Sequence, residues 1–157
     1  GYFDFLLACQ LLGGYFGSRL MKTIREEKGY TYGISAYPSH LQHQSFAIIS
    51  TDVKAENTQD TLDEIQKEIV KLKEVETSKE EITTMTNYLA GSFLSSIDTP
   101  FQLMERFKKV HQLGMDYDYY PNYFEAMKDF NSQKAQDAML KYFSVEQMHS
   151  SIVGLKK

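Results

Sequence analysis

The chain has 157 residues, and 17 Lys+Arg against 21 Asp+Glu leave a formal charge of −4, a length that suits one domain with a real core and a balance that argues against a nucleic-acid binder. An apolar fraction of 42%, with 11 Tyr and 10 Phe, excludes general disorder. A single cysteine, Cys9, excludes an internal disulfide framework and a multi-cysteine zinc site.

Residues 2–13 read as a helix, with Phe5, Leu6, Cys9 and Leu12 at helical spacing. Gly13-Gly14-Tyr15-Phe16-Gly17 breaks it as a tight turn. Ser18 is the expected N-cap of a second helix over 19–28, with Leu20, Met21 and Ile24 inward and Gly29 closing it. Thr31–Ala36 and Gln44–Val53 read as an antiparallel hairpin, and Pro38-Ser39-His40 as the start of its turn. A long amphipathic helix follows over 58–74, with Leu62, Ile65, Ile69 and Leu72 as its stripe. Asp63, Glu64, Lys67 and Lys71 are assigned to its solvated side.

Ser78 followed by Glu81 is a capping box that opens a helix to about Ser96. Thr99-Pro100-Phe101-Gln102 is a second one, and Leu103, Phe107 and Val110 form the stripe of the helix it starts, up to Gly114. Tyr117–Phe124 leads into a short helix ending near Phe130, read as a packed connection. Residues 132–143 form the last helix, with Ala135, Ala138, Met139 and Tyr142 inward, and Ser150–Leu155 a final strand. The fold class is therefore α+β: a two-layer sandwich whose largely antiparallel sheet is covered by helices on one face. The abrupt opening at Gly1-Tyr2-Phe3-Asp4, inside a helical pattern, predicts a single domain over 1–157 that lacks its N-terminal strands. No apolar run approaches the roughly 20 residues of a membrane span, and no signal-peptide pattern is present. A soluble protein is expected, periplasmic or cytoplasmic.

Most candidate chemistry has a plainer reading. His40-Leu41-Gln42-His43 invites zinc, yet no acid flanks the pair as a third ligand or base. His111 sits near a helix C-terminus, where a cation is favoured, and His149 has no sequence partner. The glycine-rich turn lacks a Gly-Lys-Ser/Thr ending and follows a helix, so it is no phosphate loop. Cys9 lies on an apolar helical face, and Ser95 and Ser96 have no His and acid grouped with them.

The segment 18–33 stands apart. Arg25 falls in the last turn of a helix, Tyr32 at the start of the following strand, and Gly29 lets the chain reverse between them. A guanidinium and a phenol at one sheet end suit a peptide carbonyl, since both donate hydrogen bonds. Spacing alone leaves a second reading open, in which Arg25 pairs with a nearby Glu and Tyr32 packs.

Leu12–Leu20, then Ile24-Arg25-Glu26-Glu27-Lys28-Gly29-Tyr30-Thr31-Tyr32, together with Asn87–Phe93, Asp98-Thr99-Pro100-Phe101 and Val153-Gly154, resemble the second domain of the pitrilysin/insulinase family. These are zinc metallopeptidases with an inverted His-x-x-Glu-His motif, along with the mitochondrial processing peptidase and its relatives. The resemblance implies a clamshell in which one domain carries zinc while another supplies an arginine and a tyrosine, seven positions apart, that hold the substrate backbone. Arg25 and Tyr32 match that spacing; Tyr30 does not.

No His-x-x-Glu-His occurs here, so the chain is similar to the metal-free domain. It is expected to bind no cofactor and to cut nothing alone. Zinc, its water and the glutamate base would come from a partner domain or subunit, and the ligand would be a peptide substrate. Tyr32 would donate to the scissile carbonyl, and Arg25 would grip a neighbouring one. The alternative is an inactive scaffold subunit of the same fold.

Overall fold

The computed structural model describes residues 1–41 and 44–154. Helix α1 (Tyr2–Cys9) runs on into a wider, π-wound segment (Gln10–Gly14), and α2 (Met21–Glu27) is π-wound as well. Strands β1 (Ile34–His40) and β2 (Ser45–Thr51) follow. A 3-10 turn (Ala55–Asn57) leads to α3 (Thr58–Glu74), α4 (Lys79–Ser95), α5 (Pro100–Gln112), α6 (Tyr119–Asp129) and α7 (Ser132–Tyr142). The fold is α+β, mostly helical, with one antiparallel two-stranded sheet among the described residues. Among the described residues no helix is long and apolar enough to cross a membrane.

Helix α1 is the centre of the core. Phe5, Leu7, Ala8 and Cys9 are buried, and Leu11 and Leu12 continue the run into the π segment. A helix apolar almost all round must be covered all round; α7, α6 and β1 do this. The π segment ends where Gly13 meets β1. A Cβ on Gly13 would lie 2.7 Å from both the Cβ and the backbone nitrogen of Ala36, so only glycine permits this approach.

The hairpin register pairs Ile34 with Thr51, Ala36 with Ile49 and Pro38 with Ala47. Ile34 and Ala36 are buried, and Ala47 and Ile49 pack against the core, so these residues form the inner face. Pro38 does not begin the turn: β1 runs through it to His40, on a two-stranded sheet where each strand is an edge and tolerates a missing N–H.

Several other expectations change. Ser18 does not cap α2 through its side chain. Its carbonyl takes the Lys22 amide at 3.0 Å, while its Oγ is buried with no hydrogen-bond partner among the described residues. Glu64 is not on the solvated side of α3: it is buried, as is Glu68, where Lys28 after α2 meets Glu64 and the Thr23 hydroxyl of α2 meets Glu68. The Ser78 box is half formed. Ser78 caps the Glu81 amide at 3.1 Å, but the Glu81 carboxylate turns to Arg19 instead of reaching back. The Thr99 box is complete. The α5 stripe buries only Val110 among the described residues; Leu103 and Phe107 are exposed. Tyr142 is exposed as well. Residues 150–154 form no strand and expose Ile152 and Val153, lacking a hydrogen-bonded neighbour; Leu155 and His43 lie outside the described residues.

Candidate functional site

Gly29 takes φ +64, a left-handed conformation, and ends α2. The helix carbonyls of Thr23 and Ile24 accept from the amides of Lys28 (3.0 Å) and Tyr30 (3.1 Å). The Lys28 bond has the five-residue spacing of a π-helix, a form found often at functional sites, and the Tyr30 bond, one residue wider, closes the helix end. The reversal carries the chain back alongside Arg25, whose Nε donates to the backbone carbonyl of Tyr32 at 3.0 Å. The two residues meet through the main chain of one and the side chain of the other. The Tyr32 side chain itself is fully exposed, so the reading in which Tyr32 packs does not describe this structure.

The loop that presents Tyr32 is braced from within. The Thr31 hydroxyl lies 2.8 Å from the carbonyl oxygens of Gly33 and Asp52, and accepts from the Gly33 amide at 3.1 Å. Thr51, at the end of β2, adds contacts to Thr31 Oγ1 (3.0 Å) and the Gly33 carbonyl (2.9 Å). Tyr30 takes another direction, its hydroxyl 3.4 Å from Asp60 Oδ2. The arrangement thus separates the two tyrosines: Tyr30 ties the loop to α3, and Tyr32 faces water.

Arg25 keeps its terminal nitrogens as further donors. Glu26 is 3.9 Å from Nη1, an exposed contact of little strength. The guanidinium carbon sits 4.6 Å from the centroid of the Phe16 ring, a cation–π distance. Phe16 belongs to no periodic stripe; its signal in the sequence is its place at a turn between Tyr15 and Gly17.

Beneath α2 lies a layer of charge. Arg19 Nε and Nη2 reach Glu81 Oε1 and Oε2 at 2.5 and 2.7 Å. Thr23 Oγ1 donates to Glu68 Oε1 at 3.1 Å, and Lys71 Nζ approaches the same oxygen at 2.6 Å. Lys28 and Lys67 face Glu64 at 3.6 and 2.8 Å, and the Lys67 hydrogen bond holds the Glu64 carboxyl below its ordinary range. The helix carrying Arg25 is thereby tied to α3 and α4 at three points.

The remaining candidates are accounted for by packing. Burial pushes the Cys9 thiol up to about 12, so it stays protonated and inert. Tyr119 contacts Phe3 at 5.3 Å between centroids and Phe3 contacts Tyr123 at 5.9 Å; burial raises both phenols. His40 bridges Tyr2 Oη (3.2 Å) and Ser45 Oγ (2.9 Å). Among the described residues no three His, Cys, Asp or Glu side chains gather to hold a metal ion. The residues present do not fit a catalytic zinc centre, which needs three ligands and an open position.

A family model described as the peptidase M16 inactive domain matches residues 1–89. A Bacillus subtilis (strain 168) protein called uncharacterized zinc protease YmxG is 26% identical over 104 residues, which are 66% of this chain and 25% of that protein. The crystal structure of a peptidase M16 inactive domain from Pseudomonas fluorescens superposes with a TM-score of 0.80 at 24% identity, over 93% of this chain and 35% of that one. The crystal structure of a protease from Helicobacter pylori gives a TM-score of 0.72 at 20% identity, over 92% and 35%. At these identities the structural likeness speaks for the fold. The chain spans about a quarter of the curated relative and about a third of each structure.

Proposed function

We propose that this chain, which belongs to the peptidase M16 inactive-domain family, is the metal-free part of a zinc peptidase and holds the substrate backbone while another domain or subunit cuts it. The observation that carries the reading is the Arg25–Tyr32 contact: a guanidinium fixed by the Tyr32 carbonyl at 3.0 Å, beside a phenol that stands fully in water. Arg25 is carried by the last turn of α2, and Tyr32 by the loop that Thr31 and Thr51 brace. A peptide backbone offers them carbonyl oxygens at regular spacing.

In this reading Arg25 donates from its terminal nitrogens to a substrate carbonyl and sets the chain's register. Tyr32 donates its phenolic hydrogen to the carbonyl that gains negative charge during hydrolysis. Neither residue makes or breaks a covalent bond. Hydrolytic chemistry, with its zinc, falls to the partner in this reading, since no three metal-ligating side chains gather among the described residues.

The test is peptide cleavage by the assembled protein, with the zinc-carrying partner present. Arg25→Ala and Tyr32→Phe are each expected to lower kcat/KM, by about 10²–10³ where the lost donor faces the developing charge. Zinc content is expected to stay unchanged. Wild-type cleavage in both variants overturns the reading and leaves the chain as a scaffold.

A further inference from the structure

We propose that Phe16 is a positioning residue for Arg25: its ring fixes the plane of the guanidinium, so that the terminal nitrogens face a peptide carbonyl without a search. The proposal rests on the substrate-holding reading of Arg25. Its own basis is the geometry of the turn that carries Phe16.

Arg25 is half-buried, and one hydrogen bond at Nε still leaves its guanidinium able to swing about that contact. A second restraint removes this freedom. Phe16 supplies it, with the guanidinium carbon 4.6 Å from its centroid. Phe16 remains 58% exposed beside this contact. Hydrophobic burial therefore does not explain its position.

The turn holds the ring in place. Tyr15 is buried and meets the Tyr88 ring at 5.2 Å, anchoring the near side. The Ser18 amide donates to the Tyr15 carbonyl at 3.0 Å, which closes a turn with Phe16 and Gly17 at its corner. A Cβ on Gly17 would come within 2.8 Å of the Tyr15 ring, so the corner is closely packed. From Ser18 the chain enters the helix that carries Arg25. Ring and guanidinium are thus fixed on adjoining, separately anchored segments. Held between the Phe16 ring and the Tyr32 carbonyl, Arg25 loses little further freedom on meeting a substrate.

Two measurements on the assembled protein test this. The first is a cleavage cycle with Phe16→Leu, Phe16→Tyr, Arg25→Ala and the Phe16→Leu/Arg25→Ala pair. Phe16→Leu is expected to lower kcat/KM about five-fold, the scale of an exposed cation–π contact. Phe16→Tyr, which keeps the ring, is expected to restore it. In the Arg25→Ala background Phe16→Leu is expected to add nothing, since its effect passes through Arg25. A five-fold loss that persists without Arg25, or no loss at all with Arg25 present, overturns the proposal. The second measurement is modification of Arg25 by phenylglyoxal, followed by mass spectrometry. Phe16→Leu is expected to raise that rate several-fold; an unchanged rate overturns the proposal. Should Arg25→Ala leave cleavage intact, the substrate-holding reading fails by itself, and the phenylglyoxal rate alone decides whether Phe16 restrains Arg25.

Discussion

Arg19 and Glu81, 62 positions apart, meet as a two-pronged ion pair, with Nε–Oε1 at 2.5 Å and Nη2–Oε2 at 2.7 Å. Their side chains are only 23% and 13% exposed. The pair joins the start of the Arg25-bearing helix to the first turn of α4, where a carboxylate also suits the helix dipole.

Breaking this pair on one side strands the other charge in a poorly solvated place. Arg19→Ala and Glu81→Ala are each expected to lower unfolding free energy by about 2–4 kcal/mol. The double change Arg19→Met/Glu81→Leu is expected to cost less than either, since no unpaired charge remains. Urea denaturation checks both statements. A double variant weaker than the sum of the singles would mean that the pair matters for packing more than for charge.

Gly13 is where the core helix closely approaches the hairpin at Ala36. Its φ of −159° is open to any residue, so backbone strain plays no part. Space decides instead: a new Cβ would meet Ala36 at 2.7 Å and Leu20 Cδ1 at 3.2 Å. Gly13→Ala is expected to cost about 1–3 kcal/mol, as over-packed sites do. Adding Ala36→Gly removes the clash with the Ala36 Cβ but not the one with its backbone nitrogen, so only part of the loss should return in thermal unfolding.

Local signals announced the elements, and long-range partners decided the faces. Helix α3 spans Thr58–Glu74 as its stripe implied, and Thr99-Pro100 with Gln102 starts α5 by a complete capping box. These features act within four residues, so they can be read without the fold. Glu64 looks solvated from the sequence, but Lys28 meets it from the residue after α2, as Thr23 of α2 meets the neighbouring Glu68. Glu81 matches a capping box, yet Arg19 outcompetes the local amide for its carboxylate. Residues 150–154 have strand composition, but a strand needs a neighbour, and no partner meets them among the described residues. At the candidate site, Gly29 signals the chain reversal between Arg25 and Tyr32, whereas the choice of those two residues rests on the family resemblance. Phe16 was not legible as a partner of Arg25, since a lone aromatic in a turn carries no periodicity.

His40 gives the fold a pH dependence whose sign follows from its surroundings. Its ring lies between Tyr2 Oη and Ser45 Oγ. Burial, and then the Lys109 ammonium, lower its pKa below the ordinary 6.5. The unfolded chain therefore takes up a proton at 6.5, while the folded chain resists until the pH is lower still. Between those two values the unfolded state binds more protons, so stability falls as pH falls through this window and levels out above 6.5. His40→Gln keeps a polar group but cannot titrate. On acidification from neutral pH into that window, the wild type is expected to lose more unfolding free energy than His40→Gln. Added salt screens Lys109 and should narrow the difference. Urea titrations at paired pH values measure it, and equal losses in the two proteins would show that His40 is solvated alike in the folded and unfolded states.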